Sequence, residues 1–127
     1  MSDIGFVYVL HNPAMDHLFK IGYTLRSPHA RAQEISAPTG IPVPFEVVMY
    51  WEVEDPSTIE AEIHLMLGEF RASKDREFFH CDLEFIIDTF RQVADPYAEY
   101  MNTLYSLRAN PTNPELLEVA NGSLQKH

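Results

Sequence analysis

Glu60 and His64 stand four residues apart in "IEAEIH", a spacing that puts a carboxylate and an imidazole on one face of a helix. Such a pair can do proton chemistry, the histidine either holding the carboxylate in place or shuttling a proton. Lys20 is a lone cation in the middle of "LFKIGYT", residues 18–24. A strand buried on both faces has no room for it, and a surface hairpin has no use for Leu18, Phe19 and Ile21. His29 and Arg31 share the short stretch "HARAQEIS", and Tyr8 lies within "FVYVL". Each of these residues also has a plain structural reading. Ser57-Thr58-Ile59-Glu60 satisfies a capping box, in which Glu60 only ties back to its helix start. Tyr8 alone reads as a half-buried strand tyrosine, Arg31 as a solvated helix charge and His64 as a boundary histidine. Glu62 projects to the other flank of its helix and reads as surface. His80-Cys81-Asp82 has metal-binding atom types, but a helix cap at Asp82 explains it better.

The elements that must position these side chains follow from periodicity and turn chemistry. Residues 6–10, "FVYVL", read as a buried strand, and Asn12-Pro13 as turn punctuation. "LFKIGY" then reads as the second strand of an antiparallel hairpin. Four capping side chains are followed by proline, at Ser27-Pro28, Asp55-Pro56, Asp95-Pro96 and Asn113-Pro114, and each marks a helix start. "FEVVMYWEV", residues 45–53, alternates as a third strand with Phe45, Val47, Met49, Trp51 and Val53 on one face. A helix from about Pro56 to Gly68 buries Ile59, Ile63, Met66, Leu67 and Phe70. A further helix buries Leu83, Ile86, Ile87, Phe90 and Val93. Helical segments near 96–107 and 114–121 end the chain. The expected fold is α+β: a small three-stranded antiparallel sheet covered by helices, with a C-terminal helical extension. Residues 1–94 read as one unit and 95–127 as the extension, which docks on it or pairs two subunits as a homodimer. Tyr97, Tyr100 and Tyr105 in that extension read as packing residues rather than as a base-stacking platform.

With 127 residues, 46% hydrophobic and 22% charged, the composition is that of a globular domain. A single cysteine, Cys81, excludes an internal disulfide and a Cys-based zinc site. The lack of a long apolar run and of a cleavable leader predicts a soluble, cytoplasmic protein without a membrane partner. Net charge is -10, from 19 acidic and 9 basic residues, which argues against broad, nonspecific nucleic-acid binding. Six of the nine basic residues (Lys20, Arg26, Arg31, Arg71, Lys74 and Arg76) nonetheless fall between positions 20 and 76, so one face can still be positive.

The order of elements, with these residues in it, resembles the GIY-YIG endonuclease superfamily, and most of all its short phage and bacterial branch whose second motif reads Lys-Ile-Gly. The match spans roughly residues 5–90. "GFVYVL" looks like the first motif, with Tyr8 as its tyrosine. Lys20-Ile21-Gly22 stands where the superfamily has Tyr-Ile-Gly, Arg31 at its helix arginine and Glu60 at its metal-binding glutamate. "REFF", Arg76 to Phe79, is a further element of that branch. Tyr23 stands where relatives often carry lysine, so a cation and a phenol are exchanged between positions 20 and 23.

The resemblance implies an endonuclease hydrolysing DNA phosphodiester bonds with one divalent cation, Mg²⁺ or another, held by Glu60. Phosphodiester hydrolysis needs an activated water, cationic help for the developing charge and stabilisation of the leaving alkoxide. In this reading Arg31 and Lys20 contact phosphate, with Arg26 and His29 as further substrate-binding residues. Tyr8 orients or activates the water, and Tyr23 and His64 complete the catalytic set. Period-two alternation directs Lys20 away from Phe19 and Ile21, toward the side of Tyr8. A free phenol near pKa 10 is a poor base at neutral pH, so a neighbour must depress it, and Lys20 is the candidate. The rival reading keeps the fold without the catalysis, as a module binding nucleic acid or a protein partner.

Overall fold

The computed structural model describes residues 3–15, 17–37, 43–72 and 77–109. Its elements run β1 (Ile4–His11), β2 (Phe19–Thr24), α1 (Pro28–Ser36), β3 (Glu46–Glu54), α2 (Pro56–Met66), a 3₁₀ turn (Gly68–Phe70), β4 (Phe78–Phe79), α3 (Leu83–Val93), β5 (Ala98–Met101) and α4 (Thr103–Ala109). Val7, Tyr8, Val9 and Leu10 are all buried. An uninterrupted apolar run of that kind needs cover on both faces, and β1 has it as the centre of a sheet ordered β4-β2-β1-β3-β5. Every strand pairing is antiparallel. Below one face, Ala32 of α1 packs with Tyr8, Leu10, Phe45 and Val47. On the other, Ile63 of α2, Leu67 just after it, and Leu83, Ile86 and Phe90 of α3 pack with Val7, Val9, Ile21, Met49 and Trp51.

The α+β class holds, and the sheet has five strands, not the expected three. β4 is only Phe78–Phe79, too short to show any period. β5 lies in the stretch expected to be a helix from Asp95-Pro96. That pair suits a helix start, but the free edge of β3 takes the segment instead. The Tyr97 amide donates to the Glu52 carbonyl at 2.8 Å, and Tyr100 then pairs with Tyr50. Long-range pairing here overrides a local signal. The helical expectation survives in α4, and the helix near 114–121 lies outside the described residues, as does Arg76.

β3 departs from simple alternation. Against β1, Val9 pairs with Met49 but Leu10 pairs with Val47, a bulge that leaves Val48 extra. A bulge shifts the side-chain alternation by one. Phe45 and Val47 therefore pack toward α1, whereas Met49, Trp51 and Val53 pack toward α2 and α3. The five were expected on one face. Ile63 of α2 and Leu67 at its C-terminal cap are fully buried as expected, while Met66 is 45% exposed. The helix begins at Pro56 with Asp55 at the cap position in the left-handed region, φ 52°, which aspartate tolerates better than most side chains. Among the described residues no helix is long and apolar enough to cross a membrane.

Candidate active site

The hairpin register sets the first part of the site. Tyr8 faces Gly22 and Leu10 faces Lys20, and residues directly opposed on antiparallel strands share a face. Lys20 therefore lies on the Tyr8 side, as alternation predicts. A Cβ built on Gly22 would meet the Tyr8 hydroxyl at 2.5 Å, so the phenol lies across the backbone at the one position without a side chain. Ser27 caps α1 by accepting from the Ala30 amide at 3.3 Å, and the helix places Arg31 beside Tyr8. The Arg31 guanidinium stands close enough to the Tyr8 hydroxyl for each to shift the other's pKa. Its Nη1 also reaches Glu34 Oε2 at 3.3 Å, and Arg26 Nη2 holds the other oxygen of that carboxylate at 2.6 Å.

The second part comes around the outer edge of β2 from the opposite face. Along β2, β4 reaches only Phe19 and Lys20, leaving the Ile21 carbonyl to another partner. His64 Nε2 donates to it at 2.8 Å. A carbonyl only accepts, so Nε2 carries the proton and Nδ1, 3.6 Å from Glu60 Oε1, presents its lone pair. Burial holds the imidazole pKa below its ordinary value, so His64 is neutral. It fixes the Glu60 turn of α2 to the strand edge. Glu60 is not folded back as a capping-box residue: Ser57 already lies inside α2, and the Glu60 side chain is 14% exposed. Burial and then the Glu77 charge push its carboxyl up to about 7, against the pull of Lys20 and Arg71.

Lys20 Nζ contacts Glu77 Oε2 at 2.7 Å and lies 5.4 Å from the Phe78 ring centroid. The Glu77 carbonyl also accepts from the Ile21 amide at 2.9 Å. Within "REFF" no local pattern distinguishes Glu77. Its role became visible only when β4 laid it alongside Lys20. Burial raises the Tyr8 pKa above that of a free phenol. The Arg31 hydrogen bond and charge offset part of this, and the Glu77 and Glu60 charges add to it. The expected depression by Lys20 is absent because that ammonium is engaged by Glu77. Tyr8 is thus a neutral phenol that stands beside Arg31 and keeps its own proton to donate.

Tyr8, Lys20, Arg31, Glu60, His64 and Glu77 therefore form one electrostatic neighbourhood at the β2 edge. Arg26 joins it at one remove, through Glu34. Tyr23 does not join Tyr8: it pairs with Val7 and faces the other side of the sheet, 43% exposed. Positions 20 and 23 differ in parity, so exchanging cation and phenol between them moves the phenol to the opposite face. The His29 ring lies edge-on to Tyr50 and Tyr100. Among the described residues no three His, Cys, Asp or Glu side chains gather as a metal-binding group, His80-Cys81-Asp82 included. The chemistry on offer is two donors, Arg31 and Tyr8, with an ammonium and a poised carboxyl close by.

A family model described as the T5orf172 domain matches residues 5–94. Comparison with curated proteins and with solved structures gives no match.

Proposed function

The chain belongs to the T5orf172 domain family, and on that premise we propose that it is a GIY-YIG-type endonuclease hydrolysing DNA phosphodiester bonds with a divalent cation. The observation that carries the proposal is that three separate segments, β1, α1 and α2, bring Tyr8, Arg31 and Glu60 near enough for the charges of Arg31 and Glu60 to act on the phenol. Arg31 and Lys20 meet the phosphate oxygens. Both already hold carboxylates, the same class of anionic oxygen ligand. Tyr8 orients the guanidinium and donates its proton toward substrate or water, and its raised pKa argues for this orienting role over that of a base. His64 anchors Glu60 to the β2 edge.

Glu60 fits a hard cation. A carboxyl whose proton affinity is raised by burial and by Glu77 gains from a positive charge, and a single carboxylate suits Mg²⁺, which keeps most of its waters. When bound there, the ion would polarise a phosphate oxygen and supply an acidic water.

The test is plasmid nicking with Mg²⁺, wild type against Glu60→Ala. We expect nicking by wild type that EDTA abolishes and that the variant lacks. Undiminished nicking by Glu60→Ala would remove Glu60 from the mechanism. A second reading, a catalytically silent module that binds nucleic acid or a protein, draws on the Glu77-masked Lys20 and the net charge of -10. It predicts no turnover with any divalent cation.

A further inference from the structure

A single rung of the sheet runs outward from the site. Gly22 faces Tyr8, Tyr8 faces Tyr50, and Tyr50 faces Tyr100, across β2, β1, β3 and β5. All these positions point to the α1 side. Tyr8 is buried, but Tyr50 and Tyr100 are half-exposed and stacked, with centroids 4.9 Å apart and planes at 20°. Phe6 meets Tyr50 edge-on at 5.3 Å. His29, exposed on α1 two residues before Arg31, stands across both tyrosines at 6.0 and 5.7 Å, with planes at 89° and 73°. Its imidazole is thus held in a fixed direction by two rings yet stays open to solvent. Tyr100 lies beyond the residues 5–94 that the family model matches, so β5 adds this aromatic to the common domain.

We propose that His29, Tyr50 and Tyr100 form a stacking site for an unpaired base of single-stranded DNA whose backbone enters beside Tyr8 and Arg31. This rests on the nuclease reading for its place in the reaction, though binding can be measured apart from it. Charge favours the unpaired strand as occupant. Lys20, Arg26, Arg31 and Arg91 each hold a carboxylate, and the chain carries net charge -10. Affinity through counterion release, on which duplex binding depends, is therefore small. Ring stacking needs no net charge, tolerates any sequence and requires an unpaired base.

The experiment measures fluorescence anisotropy of a labelled oligothymidine and of a same-length duplex in EDTA, on a Glu60→Ala background. Single strand should bind more tightly than duplex. His29→Ala and Tyr100→Leu should each weaken single-strand binding by about 5- to 150-fold, the range of one lost stack, with the salt dependence unchanged. Tyr100→Phe, which keeps the ring, should retain the affinity. His29 is exposed, so its variant cannot fail merely through a collapsed core, and circular dichroism checks the others. Absence of single-strand binding, equal binding by His29→Ala, or an equal loss for duplex would each overturn the proposal. Plasmid nicking separates the two readings: single-strand stacking without nicking sinks only the nuclease, and nicking without a stacking loss sinks only this site.

Discussion

A methyl group at position 22 would sit 2.5 Å from the Tyr8 hydroxyl and 2.7 Å from its ring carbon Cζ, closer than any carbon can approach. Gly22→Ala therefore has to push the phenol aside and break its contact with Arg31. Overpacking of this kind costs about 1–3 kcal/mol of stability, and a displacement near 1 Å in a reacting site costs about 100-fold in rate. We expect both, as a lowered thermal midpoint and nicking reduced by about two orders of magnitude. Unchanged nicking would place the chemistry elsewhere. Glu60 gives a prediction with a sign. Its folded pKa of about 7 lies above the ordinary 4.5, so between those values the native state keeps a proton that the unfolded chain releases. Glu60 thus costs nothing below the lower value, costs progressively more as pH rises through the window, and costs a constant amount above it. Glu60→Gln should be neutral in stability near pH 4 and stabilising above about pH 7, by on the order of 3 kcal/mol. Urea titrations of the metal-free protein at both ends check this, and a gain of equal size at both ends would contradict it. On the proposed nuclease reading, in which the ionised Glu60 holds the cation, nicking should rise with pH through the same window.

At the scale of elements, the site depends on what lies outside its own strands. β4 brings Glu77 to Lys20, and α2 reaches the free edge of β2 through His64 and the Ile21 carbonyl. At the far end, α4 is fastened to the sheet by Tyr105, 3% exposed, whose hydroxyl donates to Glu46 Oε2 at 2.7 Å and lies 2.8 Å from His11 Nδ1. β5 is thereby held from both sides, by β3 pairing and by the helix that follows it. Tyr105→Phe removes the shared hydroxyl and should lower the urea midpoint by the equivalent of about 1–2 kcal/mol, without changing the slope. An unchanged midpoint would mean that the hydroxyl does not fasten α4 to the sheet. The residues after position 94 are thus, as far as α4, part of the sheet and its cover, which makes Tyr100 available beside His29.

For the whole molecule, the division between local and long-range information is visible residue by residue. Strand alternation put Lys20 on the Tyr8 side, and helical spacing put Glu60 beside His64, because both depend on neighbours a few positions away. The apolar run 6–10 required cover on both faces, and β1 is indeed central. Those facts were readable in the amino acids alone. The bulge at Val48, the strand formed by Ala98–Met101, the pairing of Glu77 with Lys20 and the rise in the Tyr8 pKa were not. Each depends on a partner tens of residues away, and no local preference carries the free energy of a contact that exists only once the chain has closed. Residue types and their order determined which groups this protein can bring to bear. Tertiary pairing decided which of them meet, because burial and charge act through space.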